Sequence, residues 1–153
     1  MTQLVSIDEF DWKKGYIKDD PVRPHISTEF RMQSGREVFG LEDEYGIMKS
    51  VVCVAYTNEV PEDETQLDLY SQSACQDGQK GSIAVFYTVW SYSKGAGRDI
   101  IFNVADYMNR DYPHIKRFVT LSPLTEMAEK FHTKNGAKLI FKGKECQNFE
   151  YCF

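Results

Sequence analysis

The spacing of apolar and polar positions changes character several times along the 153 residues, and each change marks an element. "REVFGLE" and "IMKSVVCVAYT" carry β-branched and aromatic residues on either side of the turn-like "EDEYG", which predicts an antiparallel hairpin over 37–57. "SIAVFYTVW", 82–90, is an almost unbroken apolar run, as expected of a strand buried on both faces at the centre of a sheet. Ile100, Ile101, Val104, Ala105 and Met108 then recur at helical spacing, and "NRDYPH" ends that helix before Pro113. "IKRFVTL", 115–121, returns as a strand, so the crossover through the helix predicts two parallel strands.

Ser122 and Pro123 read as the N-cap and first-turn proline of a second helix over 123–135. Its apolar face is Leu124, Met127, Ala128 and Phe131, and Asn135 with Gly136 closes it. "AKLIFKG" and "CQNFEYCF" are two closing strands. Residues 1–36, interrupted by Pro21 and Pro24, read as an arm or short helix, and 58–81 as a long polar connection holding one short helical turn. The expected class is α/β with a mixed central sheet.

Composition narrows this picture. A chain that is 42% hydrophobic and 14% aromatic fills one core at this length, so a single domain over 1–153 is expected, with its core in 37–153. A net charge of -5 argues against nucleic acid bound through a basic face. Asp8, Glu9 and Asp11 stand where a signal peptide needs an apolar segment, and no run is long enough to span a bilayer. The expectation is a cytoplasmic protein without a nucleic-acid or membrane partner; a homodimer is compatible with the sequence. Cys53, Cys75, Cys146 and Cys152 match neither a metal knuckle nor a disulfide framework, so reduced thiols and no bound metal are expected.

The candidate chemistry begins in "SYSKGAGRDIIFN". A strand, a turn with Gly95 and Gly97, and a helix bring free N–H groups and a positive dipole end to one point, which suits a pyrophosphate; Lys94 and Arg98 flank it. Two glycines at a strand–helix junction equally suit a tight packing turn.

The order of elements resembles the GNAT superfamily of N-acetyltransferases, whose Q/R-x-x-G-x-G/A signature binds the pyrophosphate of coenzyme A. Gly95 and Gly97 occupy its small positions, while Tyr92 stands where Gln or Arg is usual. The run "IAVFYTVWSYSKGAGRDIIFNVADYMNRDYPHIKRFVTLSP", with "FHTKNGA", resembles the core of malonyl-CoA decarboxylase, a family that shares this fold. The resemblance implies a sheet splayed after the apolar strand and an acyl-CoA cosubstrate, acetyl-CoA or another. Its arm would pair with the backbone of Val89, Trp90 and Ser91, and its pyrophosphate would lie on Lys94, Gly95, Ala96, Gly97, Arg98 and Asp99. It further implies a catalytic histidine, His132, and a hydroxyl, Ser122 or Thr120.

Were 123–135 one straight helix, Ser122 and His132 would stand about 15 Å apart along its axis. The first function expected is therefore N-acyl transfer to an amine, with His132 as acid to the departing thiolate. A malonyl-CoA decarboxylase-like enzyme is the second, and a non-catalytic CoA- or protein-binding domain the third. No base is identified for the amine: Glu42, Asp43 and Glu44 fit a solvated turn. Tyr87, Trp90 and Phe118 read as core, and His25 and His114 as weaker candidates, His114 at a helix end.

Overall fold

A computed structural model describes residues 2–8, 16–76 and 81–153. Residues 1, 9–15 and 77–80 of the expected arm and connection lie outside the described residues. The hairpin is strands β2 (Arg36–Asp43) and β3 (Met48–Thr57), and the apolar run is β4 (Ile83–Ser91). At the hairpin tip the Asp43 carboxylate accepts the N–H groups of Tyr45 and Ile47 and so caps the turn. Helix α3 (Ala96–Asp111) crosses to β5 (Arg117–Thr120), which pairs parallel with β4 as expected.

Three elements depart from the sequence reading. Residues Thr2–Ser6 form β1, antiparallel to β2, besides the short helix α1 (Thr28–Met32) expected in that region. The polar connection holds a helix of 13 residues, α2 (Glu64–Gln76), where one turn was expected. Asp63 caps it by accepting the Gln66 N–H, and Leu67, Ser71 and Ala74 make up its buried side. Its stripe contains a serine, whose hydroxyl donates to the Leu67 carbonyl, and this hides the helical period from a hydrophobicity reading.

The third departure matters most for the site. Ser122 is not an N-cap. Ser122–Pro123 is a short strand, β6, paired with the chain-terminal strand β8 (Cys146–Tyr151). Helix α4 starts later, at Glu126–Lys134, with Thr125 as its cap, accepting the Ala128 N–H. Strand β7 (Lys138–Lys142) completes one mixed sheet in the order β1-β2-β3-β4-β5-β8-β6, with β7 on the outer side of β8. All four cysteines are free thiols, and no helix among the described residues is long and apolar enough to cross a membrane.

The segment between 16 and 32 is held by a buried ion pair. Arg31 Nη1 donates to Asp20 Oδ2 at 2.8 Å with both side chains fully buried, and Arg31 Nη2 reaches the Arg23 carbonyl at 2.7 Å. The other Asp20 oxygen accepts the N–H groups of Val22 and Arg23. Asp20→Ala strands the guanidinium in the core and is expected to cost about 3–5 kcal/mol in urea denaturation. An Asp20→Leu/Arg31→Met double variant should recover part of that loss; an Asp20→Ala protein as stable as the parent would show that the pair does not hold the segment.

Candidate active site

β4 and β5 pair only as far as Phe86 and Thr120, with one further bond from the Leu121 N–H to the Phe86 carbonyl. Beyond that point the chain turns into β6 and follows β8, so β4 runs on with one edge uncovered. This is the expected splay. A cleft of about 580 Å3 opens there, walled by β4, the β6 turn, α4 and residues 19–22.

Which backbone groups face the opening follows from the ladder. The Tyr92 N–H bonds to the Lys49 carbonyl on β3, and Trp90 is paired with Val51 two residues earlier. By alternation Trp90 turns its N–H and C=O to β3, while Val89 and Ser91 turn theirs to the cleft. Of the three residues expected to offer backbone groups, two do; Trp90 lies on the cleft but spends its backbone on the sheet. Trp90, Tyr87 and Phe118 are buried as expected.

At the end of β4 the two glycines have separate reasons. Gly95 has φ +81, a left-handed conformation that disfavours any side chain and sets the N-terminus of α3. Gly97 lines the cleft, where an added Cβ would stand 3.4 Å from Phe131 and 3.8 Å from Val89, in ordinary contact. The Ala96 N–H bonds to Ser93 and the Asp99 N–H to Gly95, which leaves the Gly97 and Arg98 N–H groups directed out of the helix end. Ser50 fixes that end by donating to the Ala96 carbonyl at 2.8 Å. Lys94 is exposed, and the Arg98 guanidinium lies 4.5 Å over the Phe102 ring, 3.9 Å from Asp99. Tyr92, in place of Gln or Arg, donates to Asp19 Oδ2 at 2.7 Å and accepts the Trp90 indole N–H at 3.1 Å, tying residue 19 to the rim.

At the inner end, Ser122 and His132 line the same cleft. The 15 Å separation does not arise, because Ser122 lies on β6 and only His132 on α4. Thr120 is fully buried behind Ser122, oxygen to oxygen 2.8 Å, and accepts the Phe149 N–H. His132 is the buried residue of α4. Of the expected apolar face, Leu124 and Met127 are exposed, while Ala128 and Phe131 are half-buried; Met127, Ala128 and Phe131 line the cleft. The stripe lines the cleft, and Phe131 packs against the core as well.

His132 Nδ1 is 2.7 Å from the Tyr151 hydroxyl, and its ring packs 5.3 Å from Phe149. Burial lowers its pKa from 6.5 to about 4, so the imidazole is neutral at pH 7. Burial pushes the Tyr151 pKa up, against a side-chain hydrogen bond from Asn135 that pulls it down, so the phenol keeps its proton. His25 instead bonds Glu64 in solvent at 2.7 Å, and His114 stacks on Tyr112 beyond α3. Tyr151 beside His132 and the wall of Asp19, Pro21 and Val22 belong to no motif in the sequence, whereas Asn135 lies within "FHTKNGA", where the sequence suggests only a helix cap.

The mixed sheet and its order of elements agree with the comparisons. Residues 38–147 match the family described as malonyl-CoA decarboxylase C-terminal domain. The malonyl-CoA decarboxylase of Agrobacterium vitis superposes with a TM-score of 0.65 at 24% identity, over 85% of this chain and 35% of that one. That of Cupriavidus metallidurans gives 0.59 at 20%, over 86% and 33%, so the chain spans about a third of these decarboxylases. A probable acetyltransferase from Staphylococcus epidermidis gives 0.66 at 10% identity, covering 99% of this chain and 98% of that one. No curated protein matches. The fold is that of the GNAT acetyltransferases, and the chain belongs to the malonyl-CoA decarboxylase C-terminal domain family.

Proposed function

We propose that this chain decarboxylates malonyl-CoA to acetyl-CoA, with Ser122 and His132 as its catalytic residues. The observation that carries this reading is their convergence on one cleft, which the later start of α4 permits. The pantetheine arm pairs with Val89 and Ser91 along the uncovered edge of β4, and the pyrophosphate lies on the N-terminus of α3 at Gly95, Gly97 and Arg98. Among the described residues the cleft lining has no lysine or arginine. A malonyl carboxylate there loses its hydration without gaining a counter-ion, and CO2 release transfers that charge from the carboxylate to the thioester oxygen.

When the bond from the α-carbon to the carboxylate breaks, its electron pair moves into the thioester as an enolate. In the tautomer with the Tyr151 phenol donating to His132 Nδ1, at 2.7 Å, the imidazole proton sits on Nε2. A neutral Nε2–H is a hydrogen-bond donor for the enolate oxygen, and the Ser122 hydroxyl, 2.8 Å from the Thr120 oxygen, passes its proton to the carbon and recovers one from solvent through the open cleft. N-acyl transfer is the second reading, favoured by Asp19, the single carboxylate among the described residues that line the cleft and a group suited to an incoming amine.

Incubation with malonyl-CoA and no amine should yield acetyl-CoA by chromatography, and Ser122→Ala and His132→Asn should each lower kcat at least about 100-fold. Thiol released only when an amine is added would replace decarboxylation by acyl transfer. CoA binding without turnover, unchanged in His132→Ala, would leave a binding domain.

The buried histidine also sets a pH dependence of stability. The unfolded chain takes up a proton at His132 near pH 6.5 and the folded one only near pH 4, so stability falls as pH drops through that window. The contribution is on the order of 3 kcal/mol, and urea denaturation of His132→Asn should show a flatter profile between the two values. An equal slope in parent and variant would mean that His132 titrates normally in the folded protein.

A further inference from the structure

A second cavity, of about 460 Å3, lies under the opposite end of α3, bounded by β1, β2 and the last turns of that helix. It shares no lining residue with the cleft. Glu37 lines it, and Glu37 Oε1 accepts two phenol O–H groups, from Tyr56 at 2.9 Å and Tyr112 at 2.7 Å. Two hydroxyl donors thus converge on one carboxylate oxygen and fix its position. Burial first, and the Glu37 carboxylate after it, push both phenol pKa values up, so both keep their protons for it. Glu37 Oε2 takes part in no hydrogen bond or ion pair among the described residues.

Phe39 and Tyr107 form the aromatic walls, edge to face at 5.9 Å, and Tyr107 leans on Tyr112 at 5.3 Å. Asp106 adds a second carboxylate. Arg110 is the one basic residue among the described residues of the lining; it is exposed, with its Nε directed at the Asp106 carbonyl of its own helix at 3.4 Å. The lining thus carries two carboxylates against one guanidinium, beside the negative end of the α3 dipole. A packing role alone needs neither a carboxylate nor three hydroxyls at this place, since Phe would fill the same space.

We propose that this cavity binds an organic ammonium ion, seated against the aromatic wall of Phe39 and Tyr107 with its charge on Glu37. Aromatic faces attract a cation through their quadrupole, and the fixed carboxylate supplies the opposite charge. The volume is that of a small organic molecule rather than of a metal ion, and the bonds from Tyr56 and Tyr112 hold Glu37 in place before any ligand arrives. The site stands apart from the cleft and does not depend on which reaction the cleft performs.

The test uses choline and its uncharged carbon isostere 3,3-dimethylbutan-1-ol, titrated into the full chain by calorimetry and followed by NMR of the Phe39 and Tyr107 rings. Choline should bind and shift both rings, with the alcohol at least about tenfold weaker. Glu37→Gln keeps an acceptor for the two phenols but removes the charge, and Tyr107→Leu removes one face; each should weaken choline by a similar factor with an unchanged circular dichroism spectrum. Ser122→Ala in the cleft should leave choline binding unaltered. Absence of choline binding at millimolar concentration, or equal binding of choline and the alcohol, overturns the proposal. Should Glu37→Gln fail to fold, the two ligands compared on the parent protein still decide it.

Discussion

The site depends on one interrupted pairing. β4 and β5 run parallel for four residues and then part, so the apex between them exposes backbone groups that a continuous sheet would satisfy. Arg23 fills that apex. Its Nη1 donates to the Tyr87 carbonyl on β4, its Nη2 faces Cys146 Sγ of β8 at 3.7 Å, and its Nε bonds Glu64 at 3.2 Å. A single buried guanidinium therefore braces both arms of the fork. The Arg23 carbonyl in turn accepts Arg31, whose ion pair with Asp20 fixes the loop that carries it. The backbone groups at the apex are satisfied internally, whereas those of Val89 and Ser91, farther out, stay open to a ligand.

β8 is the element that makes the fork chemically useful. Its Phe149 N–H bonds to Thr120, its Tyr151 hydroxyl meets His132, and its Asn148 side chain donates to the carbonyls of Thr120 and Pro61. Gln147 holds the Pro123 and Thr125 carbonyls, fixing the turn between β6 and α4. One strand thus sets the positions of a hydroxyl and an imidazole that come from different elements. Ser122 and His132 face one cleft because β8 pairs with β6 on one edge and bonds to the α4 histidine through Tyr151.

The strong periods were legible. The apolar run of β4, the stripe of α3 and the hairpin follow from residues whose side chains pack against neighbours in the way their spacing predicts. Ser-Pro at 122–123 misled because the pair suits a helix start locally, while the pairing with Cys146 and Gln147, over twenty residues away, holds it extended. Met127 and Phe131 fit a helix stripe, yet their spacing cannot say whether the stripe faces a core or a cleft. The wall formed by residues 19–22 left no periodic signal, because polar contacts of Asp20, Arg23 and Arg31 place it rather than apolar burial.

Helix α3 joins the two cavities physically. Its 16 residues make a rod about 24 Å long, with the glycine turn at its positive end and the Glu37 tyrosines near its negative end. Its apolar side, from Ile100 to Met108, is fully buried against the sheet, so neither end moves without disturbing the core. The same backbone dipole that favours an anion at Gly97 therefore favours a cation at Asp106 and Glu37. Opposite charges at the two ends follow from one rigid element, and the chain has placed its carboxylates at the end where the helix opposes rather than stabilises them. That arrangement costs free energy in the absence of a cation, and the phenols of Tyr56 and Tyr112, which bond the Glu37 carboxylate, are what keeps it tolerable within the fold.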